Sequence, residues 1–254
     1  MVNDVHSELS QTTVSRVVRP KSAAEVREVI QSASARGQSV AIAGARHSMG
    51  GQQFLSDSIL IDTSRLSNIL ALDSVGGIVR VQAGCRWPYL LRWLEANQSG
   101  TDFWTFKQKQ TGADRLSIGG AVSSNIHSRG LTMKPFVNDL EAVHIFDSIG
   151  DHVRVNREHP LWKFVVGGYG LFGFIESVEL RLTKRHKIRR RVELHRMDGL
   201  LERFNQRITD GYEFGDFQFA IDPTSDDFLN AGVFSCYEPV PDSHTVVANP
   251  RDIP

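Results

Sequence analysis

Cysteine is nearly missing from this sequence: Cys85 and Cys236 are the only two in 254 residues, and they form no Cys-x-x-Cys pair. That scarcity argues against a disulfide framework or a cysteine-based zinc site and suits a reducing compartment. An excess of either charge is missing too, since 29 Lys and Arg balance 29 Asp and Glu. A polyanionic partner such as nucleic acid is therefore not expected. No apolar run is long enough to cross a bilayer. The opening MVNDVHSELSQTT is polar, with acids early, where a secretory leader would be basic and then apolar. These absences lead us to expect a soluble, cytoplasmic globular protein, of undetermined oligomeric state.

Several catalytic signatures are absent as well. The chain has no Gly-Lys-Ser/Thr, no His-Glu-x-x-His and no Gly-x-Ser-x-Gly, which removes the P-loop, the zincin helix and the nucleophile elbow. His47, His127 and His144 have no spacing partners for a metal, so no metal site is expected. Cys85, in AGCRW after a strand, reads as a buried inert thiol.

What is present is a succession of short elements punctuated by glycine. Thr13 to Val18 is rich in β-branched residues and stops at Pro20, as a strand would. Ser22-Ala-Ala-Glu25 has the form of a capping box, and Val26, Val29, Ile30 and Ala33 follow at helical spacing up to Gly37. Strands are expected at 39–43 and 58–62, and at 69–73 and 78–82 as a hairpin across Ser74-Val-Gly-Gly77. An amphipathic helix is expected over 88–97. Paired strands come next at 140–146 and 152–155, and a last alternating strand at 174–182. Beyond it the texture changes: KRHKIRRR (184–191) is basic, and glycine punctuation thins out. We place a domain boundary near residue 183. The basic run reads as a solvated inter-domain strand, the alternative being a docking patch for an anionic lipid or a phosphorylated substrate.

Three glycine-rich stretches carry the chemistry. AIAGARHSMGG (41–51) leaves a strand and offers backbone N–H groups unshielded by large side chains, with Ser48 as a further donor. Such a row suits an anion, although a plain turn is the simpler reading of that stretch alone. SIGGAVSSNIHSRG (117–130) lets the backbone lie flat against a planar ligand, with hydroxyls and amides to bond its edges. GGYGLFG (167–173) contains Gly168-x-Gly170-x-x-Gly173, the form of a dinucleotide fingerprint. The segment after it, FIESVELRL, reads as a strand rather than a helix, so a Rossmann unit is rejected.

Taken in order, these stretches resemble the vanillyl-alcohol-oxidase superfamily, whose flavin domain is also called the p-cresol-methylhydroxylase type. The matching pieces are RPKSAAEVREVIQSASARG, VAIAGARHSMGG, ILIDTSRLSNIL, VRVQAGCRW, LSIGGAVSSNIHSRG, VNDLEAVHIF and LWKFVVGGYGLFGFIESVEL. The resemblance implies an α+β fold: a two-subdomain FAD-binding domain over 1–182 (subdomains about 1–64 and 65–182), then an incomplete α+β substrate domain over 183–254. It implies FAD as cofactor, cradled at its pyrophosphate by Ala43, Gly44, Ala45, Arg46, His47, Ser48 and Met49. Thr111, Gly112, Ser117, Gly119, Gly120, Ser123, Asn125 and His127 would line the flavin and ribityl chain. Gly168, Gly173 and Ile175 would close on the adenine-side phosphates.

The ARHS segment resembles the alditol and aldonolactone oxidase branch, in which the histidine bonds covalently to the flavin 8α methyl. The IHSRG segment also resembles the noncovalent polyprenyl-phosphoryl-ribose oxidases. No cysteine stands in the stretch around Ala113 to Ser117, so at most one covalent link is available, through His47. The implied reaction is oxidation of a CH–OH group of a polyol, sugar or aldonolactone, with oxygen or another acceptor reoxidising the flavin. No general base is assigned, because such enzymes usually draw it from the substrate domain. A flavin-binding fragment without turnover is the remaining alternative.

Overall fold

The computed structural model describes residues 1–245 except positions 101, 111 and 113. They divide into two compact units, residues 1–127 with 135–184, and residues 128–134 with 185–245.

The first unit begins with β1 (Arg16–Val18), α1 (Ala23–Ala35), β2 (Val40–Ala43) and β3 (Ile59–Asp62). The three strands form a parallel sheet in the order β1-β3-β2, with Val17 and Ala41 both in register with Leu60. α1 buries Val26, Ile30 and Ala33, and the first two pack with Ile61, Leu66, Phe146 and Phe174. Burial of each such aliphatic side chain contributes about 1.5–3 kcal/mol. The cap departs from the expected box: Ser22 Oγ accepts from Glu25 N–H at 3.2 Å, but the Glu25 carboxylate reaches Lys21 N–H instead of Ser22.

Next come β4 (Ile69–Asp73), β5 (Ile78–Gln82), α2 (Trp87–Ala96), β6 (Trp104–Phe106) and α3 (Ile118–Ser123). After them come β7 (Leu140–Phe146), β8 (His152–Asn156), α4 (Trp162–Val165) and β9 (Phe174–Lys184). The second sheet is antiparallel, ordered β4-β5-β9-β7-β8, with β6 paired to the far end of β9. The β4–β5 turn closes as its sequence dictates: Asp73 Oδ1 accepts from Val75 and Gly76, and Gly77 takes a positive φ. Behind this sheet lies the main core, where Trp87, Leu90, Leu94, Ile118, Phe136, Ile145 and Val178 are all buried.

The second unit holds β10 (Lys187–Arg196), α5 (Leu200–Thr209), β11 (Phe214–Phe219) and β12 (Ala231–Val240), with the strands antiparallel in the order β10-β12-β11. Leu200 and Phe204 of α5 pack on Phe234 and Cys236. The later part of the basic run, Lys187 to Arg191, is the start of β10, and Glu238 answers both Arg189 and Arg191, while Arg190 bonds Ser235 Oγ at 2.8 Å. The α+β class expected from the sequence is the class observed. Among the described residues no helix is long and apolar enough to cross a membrane.

Candidate functional site

Within the first unit an open cleft, about 820 Å³ with its solvent-facing space included, runs along the carboxyl ends of β2, β3 and β5. Its apolar wall is Ile42, Ala83, Leu116 and Ile175. Its polar surface comes from the loop after β2, from α3 and from the Tyr169–Gly170 turn. Backbone contacts fix these pieces: Gly119 N–H donates to Ala83 C=O at 2.8 Å, and Tyr169 N–H donates to Ser123 C=O at 3.0 Å. Gly44 lies so close to α3 that a Cβ there would stand 2.2 Å from Ser117 Oγ. That hydroxyl caps α3 by accepting from Gly120 N–H at 3.4 Å.

Within the loop, Arg46 takes a left-handed φ of 58°. Among the described residues, no protein acceptor meets the N–H groups of residues 45–50. Consecutive free amides around a left-handed residue form a concavity suited to an anion. His47 lines the cleft, and its Nδ1 stands 2.5 Å from His6 Nε2. Partial burial lowers the His47 pKa, as do the neighbouring His6 and Arg86 charges, while the Arg115 backbone carbonyl pulls the other way. The balance favours the neutral form of the imidazole.

Of the residues expected from the sequence, Gly44, Ala45, Arg46, His47, Ser48, Ser117, Gly119, Gly120, Ser123, Gly173 and Ile175 line the cleft together. Ala43 is buried at the end of β2, and Met49 stands 62% exposed. Neither is part of the lining, nor are Gly112, Asn125, His127 and Gly168. Asn125 instead uses its Oδ1 to accept from Val137 N–H at 3.0 Å. Gly168 has a packing reason to be glycine, because a Cβ there would meet the Phe164 carbonyl oxygen at 1.9 Å. Thr111 lies outside the described residues. Ile42, Gln52, Gln53, Thr63, Ala83, Leu116, Ser124, Tyr169 and Gly170 also line the cleft and were not among the expected cofactor contacts, although Ser124 and Gly170 belong to the glycine-rich stretches singled out. Most of these adjoin the chosen stretches. Thr63 and Ala83 do not: each sits one residue past the end of its strand, β3 or β5, and strand-end position was the one signal that could have found them.

The residues present suit FAD, which brings a diphosphate, a flat ring system and ribityl and ribose hydroxyls. Free amides at 45–50 match the diphosphate, and the small residues of α3 allow close approach to a planar surface. Gln53 Oε1 is buried and, among the described residues, unpartnered, so it awaits a donor. Among the described residues, no group of three or more His, Cys, Asp or Glu is placed to hold a metal ion.

Comparison with known proteins gives the family and the cofactor. Residues 14–156 match the model of the FAD binding domain family. The chain belongs to this family. Its cofactor is FAD. Over 208 residues it is 26% identical to an L-gulono-1,4-lactone dehydrogenase of Mycobacterium tuberculosis, covering 81% of this chain and 47% of that protein. It is 28% identical over 180 residues to an uncharacterized oxidoreductase of the fasciation locus of Rhodococcoides fascians, covering 70% of this chain and 40% of the relative. A solved alkyldihydroxyacetonephosphate synthase superposes with a TM-score of 0.74 at 14% identity, over 89% of this chain and 47% of that one. The chain thus spans less than half the length of each. These likenesses place it in the vanillyl-alcohol-oxidase superfamily with the p-cresol-methylhydroxylase-type fold, as its glycine-rich stretches suggested.

Proposed function

We propose that the cleft formed by residues 42–53, 116–124 and 169–175 holds FAD, and that the protein oxidises a CH–OH group of a polyol, sugar or aldonolactone with it. The observation that carries this reading is the row of unpaired amides at 45–50 beside the ring of His47. The amides take the pyrophosphate, with Ser48 as an extra donor. Ser117 and Ser123 face the ribityl and ring edges, while Ile42, Ala83, Leu116 and Ile175 keep water from the ring. Bound FAD supplies a two-electron acceptor at N5, which oxygen or another acceptor restores. His47 is the residue able to tether the ring covalently, since a neutral imidazole is nucleophilic. The lactone dehydrogenase among the relatives supports the substrate class. Residues 185–245 are read as the start of a substrate domain.

Acid precipitation of the purified protein tests the reading. Yellow protein whose colour stays in the pellet, and leaves it in His47→Ala, is the expected result. Colour lost wholly to the supernatant removes the tether and favours the noncovalent polyprenyl-phosphoryl-ribose oxidase type. Colourless protein that takes up no added FAD overturns the reading.

A second reading is FAD binding without turnover, favoured because no carboxylate is among the described residues lining the cleft. Flavin that no polyol, aldose or aldonolactone bleaches under anaerobic conditions would establish it.

A further inference from the structure

No motif of the sequence pointed to residues 2–12, yet this segment is fastened along the cofactor loop. Val2 and Thr12 exchange backbone hydrogen bonds of 2.9 Å, which closes the segment on itself. Inside it, the Asp4 carboxylate gathers the N–H groups of His6, Ser7 and Glu8 at 3.0, 2.7 and 3.3 Å. The turn so formed lies on the loop at three points. Val5 N–H donates to Arg46 C=O and Ser10 Oγ donates to Met49 C=O, both at 2.9 Å, and between them His6 meets His47. The two imidazole centroids are 4.5 Å apart.

Two ring nitrogens 2.5 Å apart need one hydrogen between them. Two bare lone pairs would repel, and two N–H groups would collide. His47 Nδ1 is therefore committed to His6, and Nε2 is the other ring nitrogen, on a ring that the Arg115 carbonyl also faces. We propose that His6 is a positioning residue: by holding Nδ1 it fixes the plane of the His47 ring and assigns Nε2 to the flavin. This rests on the reading of the cleft as the FAD site. Asp4 acts one step further back, by building the turn that presents His6. The groups facing His47 are His6, Arg86 and the Arg115 carbonyl, so removing His6 takes away one of the influences that hold its pKa down.

The test compares His6→Ala, His6→Gln and His47→Ala with the parent. The readouts are an imidazole titration with ¹⁵N-labelled histidine and the FAD dissociation constant of the initial noncovalent complex formed by apoprotein, as a function of pH. In His6→Ala the His47 midpoint is expected to rise toward the ordinary histidine value, and FAD to bind about tenfold more weakly. His6→Gln keeps an uncharged hydrogen-bonding partner for Nδ1, its Oε1 able to accept the Nδ1 proton, and is expected to restore most of the affinity. A merely structural role for His6 would leave the His47 titration where it was, and that result overturns the proposal. So does loss of FAD in His47→Ala with parental binding in His6→Ala, which leaves the cofactor reading intact. Parental FAD binding in His47→Ala shows that His47 does not contribute to holding the cofactor and overturns the proposal, while leaving FAD as the cofactor.

Discussion

Gly44 and Ser117, from connections of two different sheets, approach so closely that the missing side chain of one makes room for the hydroxyl of the other. A Cβ on Gly44 would lie 2.2 Å from Ser117 Oγ and 3.3 Å from its Cβ. Gly44→Ala must therefore displace the cap of α3, at a cost of about 1–3 kcal/mol, and weaken FAD binding. Adding Ser117→Ala relieves part of the crowding. Denaturant unfolding of both single variants and the double variant should show a coupling of about 1 kcal/mol. Strict additivity would mean that the two residues do not share this space.

Acid stability should fall in two stages set by a partly buried network on β7, β8 and β9. Hydrogen bonding from Arg154, with a second bond from His144, holds the Glu179 carboxyl down at about 2. Burial lowers the pKa of His144, which keeps the ring neutral, and its bond to Glu179 opposes this only in part. The unfolded chain takes up the histidine proton first, so stability declines as pH falls below about 6.5. The Glu179 contribution is complete above its unfolded pKa near 4.5 and is lost as pH falls from there toward 2. Unfolding curves of Glu179→Gln should lose the lower stage, and those of His144→Phe the upper.

Neither thiol should react in the native protein. Burial pushes Cys85 up to about 12 and Cys236 up to about 11, so almost no thiolate is present at pH 8. Mass spectrometry after iodoacetamide treatment should show no added group in native conditions and two in denaturant. Prompt native labelling would contradict the packing around either sulfur.

Trp87 should be the costliest single aromatic to trim. It is fully buried, lies near Phe106 and Phe136, and its Nε1–H donates to Gln110 Oε1 at 3.0 Å. Gln110 Nε2 already has no partner among the described residues. Trp87→Phe removes volume and leaves the carboxamide unpaired at both ends, a loss of about 2–4 kcal/mol by urea unfolding. Trp87→Phe combined with Gln110→Leu should recover about 1 kcal/mol, because no buried polar group is then orphaned.

The legible parts of this chain were those governed by local rules. Asp73 and Gly77 announce their hairpin through turn chemistry, and FIESVELRL announces β9 by alternation. Other features depend on distant contacts. α3 has two glycines in six residues, a composition unfavourable to helix, and it persists because Ser117 caps it and Ala83 receives it. α5 carries Leu200, Leu201, Phe204 and Ile208 at helical spacing, but a sparsely punctuated region masked its bounds. His6 was illegible for a different reason: no periodicity links it to His47, 41 positions away. The cleft was legible as three glycine-rich stretches, and Thr63 and Ala83 were not, since only the sheets bring them there.

The central place of β9 has a consequence for synthesis. Residues 174–184 pair with β5, β6 and β7, which all precede them in the chain. On the ribosome the second sheet has no middle until this strand emerges. At about 5–20 residues per second, β5 waits roughly 5–20 seconds for its partner. During that interval Val79 and Val81, joined late in it by Val143 and Ile145, all buried in the finished protein, have no β9 to pair with. The parallel sheet and its α1 are complete much earlier, by residue 62. One half of the cleft is thus built first and must persist as a template, which makes nascent chains halted before β9 the species most in need of a chaperone.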